Sequence, residues 1–146
     1  MSVDTEGRKR AARRAGYVVA AAVNAVLLYL TNGQPGWDAL PFLTGDMTKV
    51  LPLINLSLVA GIAVNLVQAV RDPRWLVAAG GVVTTGVGLA AVVRLWQVFP
   101  FDFATGSPWT AIARILLLLG IAGSVIGLVV QIVALARAVA GRPLSG

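Results

Sequence analysis

Three basic side chains at the edges of long apolar stretches have the chemistry to bind an anion: Lys49, Arg94 and Arg114. Each arginine lies about one helical turn inside an apolar run, on either side of the segment 100–108. A guanidinium fits a carboxylate or a phosphate equally well. One hypothesis is therefore a cationic pocket for an anionic lipid headgroup. The alternative is that each side chain keeps its aliphatic part in the hydrocarbon and places its charge at the membrane surface.

Three aspartates lie in the first and third of the segments that join the apolar runs: Asp38, Asp46 and Asp102. They offer ion-pair partners to the arginines or, if they converge, a metal or acid–base cluster, although loop carboxylates are usually just hydrated. The sequence contains no cysteine and no histidine, which removes thiol chemistry and the commonest side-chain proton shuttle. We therefore expect no enzyme activity, no cofactor and no bound metal.

The composition indicates that these residues are positioned by membrane-spanning helices. The chain of 146 residues is 58% hydrophobic and only 12% charged, whereas soluble domains carry about 25% charged residues. About 20 apolar residues in a helix cross a hydrocarbon core of about 30 Å. The sequence predicts an all-α, four-helix transmembrane bundle at residues 15–138, between a basic tail at 1–14 and a short tail at 139–146. The four predicted spans are residues 15–31, 48–70, 75–99 and 110–137.

The distribution of basic residues predicts the orientation of the chain. Nine of the twelve lysines and arginines lie in the two tails or between the second and third spans. Since basic residues mark the cytoplasmic side, we expect a multi-pass plasma-membrane protein with both termini in the cytoplasm. Nucleic acid is not an expected partner, because these residues lie in short flanks and form no folded basic surface. The nine are Arg8, Lys9, Arg10, Arg13, Arg14, Arg71, Arg74, Arg137 and Arg142.

Small and polar residues share one face of the last span and one face of the second, which is typical of helix packing. The two faces coincide when the sequence is shifted by 63 residues. This match predicts a 2+2 repeat with a pseudo-two-fold axis along the membrane normal. The alternative is that two spans rich in alanine and glycine match by chance. The matching residues are Ser57, Gly61, Val64 and Gln68 in the second span and Gly120, Ser124, Gly127 and Gln131 in the last.

Amide side chains inside the spans are the remaining candidates for function, because hydrocarbon penalises polar groups. They are Asn24, Asn55, Asn65, Gln68 and Gln131. In a packing role each would bond across helices and contribute about 0.6 kcal/mol. In a functional role, four of them would line a polar path through the membrane: Asn24, Asn65, Gln68 and Gln131.

Four segments resemble small uncharacterised four-span membrane proteins of high-GC actinobacteria: NAVLLY at 24–29, NLSL at 55–58, DPRW at 72–75 and RLWQVFPFD at 94–102. The resemblance implies a bacterial plasma-membrane protein and brings no activity with it. We expect a structural, assembly or accessory role in which the chain binds partner helices or anionic lipid headgroups. The alternative is an oligomeric channel or small-solute transporter. The expected partners are membrane lipids, with a second copy or a larger membrane protein as candidates.

Overall fold

The computed structural model describes residues 2–141, with side chains from residue 5 onward, so the predicted tail residue Arg142 lies outside the described part. Four helices make up the fold: α1 (Ser2–Asn32), α2 (Leu51–Val70), α3 (Arg74–Val98) and α4 (Trp109–Val139). Each is long and apolar enough to cross a membrane. No β-strand forms within residues 2–141. The predicted all-α class with four spanning helices is confirmed.

The helix boundaries follow the local sequence. Helix α1 begins at Ser2, so the basic segment before residue 15 is part of the first helix. Pro52 lies in the first turn of α2, where a missing N–H breaks no hydrogen bond. At the start of α4, the Ser107 hydroxyl accepts a hydrogen bond from the Trp109 N–H at 3.2 Å. This bond pairs one N–H of the first turn, as the Ser-Pro pair predicts, although the N-cap residue of α4 is Pro108.

The start of α3 differs from the sequence prediction. Asp72 before Pro73 predicts a side-chain cap, but no side-chain hydrogen bond caps this helix. The Asp72 carboxylate instead accepts a hydrogen bond from Arg13 on α1 at 2.9 Å. The cap prediction was wrong, because Pro73 itself occupies the N-cap position in an extended conformation, which places Asp72 one residue outside the helix.

The helices pack in chain order, and the bundle stays open on one side. Helix α1 packs on α2, α2 on α3 and α3 on α4, and no other pair of the four comes into close contact in the described structure. The Arg13–Asp72 contact joins α1 to the turn between α2 and α3.

The bundle has two ends. The terminal end contains the start of α1, the turn at 71–73 and the end of α4. The loop end, opposite, contains segments 33–50 and 99–108.

Backbone pairing joins the two segments at the loop end. Leu43 and Phe101 form an antiparallel bridge, and the Thr44 N–H donates to the Pro100 carbonyl at 2.9 Å. Phenylalanine rings stack around this bridge with centroids 5.1 to 6.4 Å apart. Hydrogen bonds and ring contacts therefore join the two connections at the loop end. The rings belong to Phe42, Phe99, Phe101 and Phe103.

An amide side chain packs over a glycine at each contact between neighbouring helices. A Cβ atom at Gly61 of α2 would lie 2.6 Å from Asn24 Nδ2, and one at Gly81 of α3 would lie 2.8 Å from Gln131 Cδ. These helices approach closely because glycine has no side chain at the point of contact. The three pairs are Asn24–Gly61 between α1 and α2, Gln68–Gly80 between α2 and α3, and Gln131–Gly81 between α4 and α3.

Candidate functional site

A polar cleft lies at the terminal end, on the side where the bundle is open. Its volume is about 690 Å³, and its lining comes from α1, the turn before α3, the first turns of α3, and α4. Volumes of about 300–1,000 Å³ are typical of ligand sites. Its polar lining residues are Arg13, Tyr17, Asp72, Arg74 and Gln131.

Contacts between α1 and the turn that precedes α3 build one wall of this cleft. Arg13 Nε donates to Asp72 Oδ2 at 2.9 Å, and the Tyr17 hydroxyl, one turn further along α1, donates to the same oxygen at 3.3 Å. The bond from the Arg13 guanidinium is the main cause that lowers the pKa of Asp72 below its ordinary value. Asp72 is therefore ionised near neutral pH and holds Arg13 at the mouth of the cleft.

Arg74 gives the cleft an excess of positive charge. It is the first residue of α3 and lines the cleft. Among residues 5–141, the recorded ion pairs are Arg13–Asp72 and Lys49–Asp46, so Arg74 has no carboxylate partner there. Arg13 is balanced by Asp72, and Arg74 is left as a net positive charge at the cleft.

A buried acceptor lies deeper in the same cleft. Gln131 Oε1 is shielded from solvent and has no hydrogen-bond donor within the described structure. An unpaired buried acceptor costs about 1–3 kcal/mol. Other atoms of the side chain line the cleft, whereas Oε1 itself is covered by neighbouring protein atoms.

The structure brings together two of the three basic residues expected to bind lipid. Arg94 Nε approaches the Lys49 carbonyl oxygen at 3.5 Å, and Lys49 Nζ forms an ion pair with Asp46 at 3.2 Å. Arg94 therefore lies against the backbone of Lys49 at the loop end, while the Lys49 ammonium is paired with Asp46. Their contact with lipid stays a prediction.

Arg114 is held apart from that pair. Its Nη1 donates to the Trp96 carbonyl at 3.0 Å, and its Cζ lies 4.5 Å from the Trp96 ring centroid and 3.9 Å from that of Phe99. Because Arg94 and Trp96 are two residues apart on α3, they point to nearly opposite sides of the helix. A single pocket of three cations is therefore not formed.

The three loop aspartates have separate surroundings. Asp46 pairs with Lys49, the Asp102 N–H donates to the Phe42 carbonyl at 2.7 Å, and Asp38 lies beside Gly36. Within the described part of the chain, no three acidic side chains are grouped so that they could hold a metal ion. The sequence hypothesis that these aspartates converge finds no support in this arrangement.

The matching faces of α2 and α4 occupy different environments. On α4, Gly120 and Gly127 lie against α3, as Gln131 does, and Ser124 between them is half-buried. On α2, Gly61 meets α1, whereas the other members of the face turn toward α3. A 2+2 repeat would give equivalent contacts, so the repeat stays a prediction. The α3 contacts of α2 are Ser57 with Gly88, and Val64 and Gln68 with Gly80.

Two further asparagines of α2 have hydrogen bonds of different kinds. Asn65 Nδ2 donates to the Gly61 carbonyl within its own helix at 2.7 Å. Asn55 forms a reciprocal pair with Asn32 of α1, with donor–acceptor distances of 2.7 and 3.0 Å. Sequence reasoning missed Asn32 because it was placed in the loop, and it did not single out Tyr17. The sequence did contain a signal for the Asp72 contact, since Asp72 is an acidic residue at the end of the bundle where most of the basic residues lie.

Comparisons with protein-family models, with curated proteins and with solved structures find no match to this chain. The class therefore follows from the fold. Four apolar helices of spanning length, packed through glycine and amide contacts, make this chain a multi-pass integral membrane protein.

Proposed function

We propose that the chain lies in a bacterial plasma membrane with its terminal end in the cytoplasm. Arg13, Arg74 and Arg137 all belong to that end, as does the rest of the basic helix start. The loop end carries Lys49, Arg94 and Arg114. An excess of basic residues on one side of short spans marks the cytoplasmic face, which supports this orientation.

A reporter fusion tests the orientation. Alkaline phosphatase fused after residue 146 is expected to stay inactive in bacteria, because the enzyme folds only on the outer side of the membrane, where its disulfides form. The same reporter inserted in the segment 103–107 is the matched control and is expected to be active. An active fusion at the C-terminus would overturn the proposed topology.

The role proposed for the protein is structural, as an assembly or accessory component that binds partner helices. The amides inside the spans support a packing role, because Asn24, Gln68 and Gln131 lie at three separate helix contacts. A channel would need such groups along one path. The oligomeric channel or transporter therefore has less support from this geometry.

The observation that carries the proposal is the outward side of α4. None of its 31 residues is buried, and its only close helix neighbour in the described structure is α3. Gly123 on this helix has open space where a Cβ would lie. Leu119 and Ile126, one turn to either side of it, are 64% and 66% exposed. A glycine between exposed aliphatic residues lets another helix approach closely.

Photo-crosslinking in native membranes tests this role. A crosslinking amino acid at Leu119 or Ile126 is expected to give a protein adduct of defined mass, because both positions flank Gly123. Leu118 and Val125, on the other flank of α4 and 51% and 46% exposed, are matched controls that should react mainly with lipid. Absence of any protein adduct at Leu119 and Ile126 would overturn the role. An adduct of twice the chain's mass would identify a second copy as the partner.

A further inference from the structure

We infer that the polar cleft at the terminal end binds the headgroup of an anionic phospholipid. The site is separate from the outward side of α4 on which the accessory role depends. The inference depends on the proposed topology in one respect, because the topology decides which leaflet of the membrane supplies the lipid. None of the residues expected from sequence to contact lipid belongs to it, since Lys49, Arg94 and Arg114 all lie at the other end.

The charge of the cleft selects an anion. Arg74 contributes a positive charge with no recorded carboxylate partner. Arg13 is held in place by Asp72 through Nε, which leaves the terminal nitrogens of its guanidinium as further donors. Two arginines held at the mouth of one cleft provide the planar donor groups that suit a phosphate.

The position of the cleft selects a lipid over a soluble phosphate. Arg74 begins α3, at the level where a spanning helix leaves the hydrocarbon, and the cleft extends from there past Ala78 to Gln131 and Ala134. Because α1 and α4 make no close contact, acyl chains can enter the open side from the bilayer. Basic pockets between spanning helices on the cytoplasmic side are known sites for anionic headgroups.

The test measures lipid binding to the purified full-length protein by native mass spectrometry. Phosphatidylglycerol and phosphatidylcholine with the same acyl chains are titrated against wild type, Arg74→Gln and Arg71→Gln. We expect a preference for phosphatidylglycerol that Arg74→Gln weakens about tenfold, because the substitution removes a charged donor to the phosphate; tenfold corresponds to about 1.4 kcal/mol. Arg71 is exposed and outside the cleft lining, so its substitution should change the affinity by less than about twofold.

A second pair of variants tests where the lipid binds by filling the cleft instead of removing a charge. Ala134→Trp would fill the cleft without removing a charge and is expected to abolish the preference. Ala136→Trp, on an exposed part of the same helix, is its control. Thermal unfolding of each variant shows whether it remains folded.

Three results would overturn the inference. Equal weakening by Arg74→Gln and Arg71→Gln would indicate general attraction to a basic surface. Retention of the preference in a folded Ala134→Trp protein would place the lipid elsewhere. Displacement of the lipid by millimolar inorganic phosphate would show a site for soluble phosphate. None of these results bears on the α4 adducts or the fusion reporter, so the proposed function is tested separately.

Discussion

Replacing Gly80 with leucine is expected to destabilise the protein by about 1–3 kcal/mol, the cost of forcing extra carbon atoms into a packed contact. A Cβ at this position would lie 2.6 Å from Val64 Cγ1 and closer still to Gln68 Nε2. The amide can rotate away, but valine in a helix has one strongly preferred rotamer. Helices α2 and α3 would therefore have to separate. The measurement is thermal unfolding in detergent micelles, where the midpoint should fall by several degrees.

Gly86→Leu is the matched control on the same helix. A Cβ at Gly86 meets no atom within 4 Å, so the same change of residue type adds no collision there. We expect its unfolding midpoint to stay near that of wild type. Gly80→Ala should lower the unfolding midpoint as Gly80→Leu does, but by a smaller amount. It provides the measurement if the Gly80→Leu protein does not accumulate. Equal midpoints for Gly80→Leu and Gly86→Leu would contradict the close approach of α2 and α3.

The sequence was sufficient to predict the four spans because hydrocarbon imposes a strong constraint. A backbone without water must bond to itself, so a long apolar stretch between polar turns forms a helix. The periodicity of α4 also predicted which of its sides packs, since Ser124 and three further residues, Gly120, Gly127 and Gln131, return to one face every three or four residues. All three lie against α3.

The identity of the neighbour that each face meets could not be predicted in the same way. Gln68 and Gln131 occupy equivalent places in their sequences, and both lie over α3, one from α2 and one from α4. Gly61, on the same predicted face as Gln68, meets α1 instead. A helical period fixes the side of one helix, whereas the partner depends on how all the helices pack together.

The candidate cleft was hidden from the sequence for a related reason. Its arginines were visible as topology signals, but the contact between Arg13 and Asp72 depends on the register of α1 against α2. The connection at 33–50 is too long to fix that register by turn geometry. Gln131 was recognised as a polar residue on a packing face. Its unpaired oxygen is a property of the assembled bundle.

Substitution of Arg114 by glutamine is expected to lower the free energy of unfolding by about 2 kcal/mol. The guanidinium stacks on the Trp96 and Phe99 rings and donates to the Trp96 carbonyl at 3.0 Å. A cation over an aromatic ring contributes about 0.5–2 kcal/mol, and a hydrogen bond from a charged donor about 1.5–3 kcal/mol. Because Phe99 has a left-handed backbone conformation (φ 45°) at the end of α3, loss of these contacts should loosen the loop end first. Hydrogen exchange at residues 96–103 measures this loosening alongside the unfolding midpoint.

Arg114→Lys separates the shape of the guanidinium from its charge. Lysine keeps the cation but lacks the planar group that stacks on a ring while donating to a carbonyl. We therefore expect the free energy of unfolding of Arg114→Lys to lie between those of wild type and Arg114→Gln. Arg94→Gln is the control, since the recorded bond of Arg94 is a long one of 3.5 Å to the Lys49 carbonyl, and the effect should be small. If Arg114→Gln unfolds at the wild-type midpoint and Arg94→Gln does not, the stabilising arginine at the loop end is Arg94. In that case the role assigned to the Trp96–Phe99–Arg114 stack is wrong.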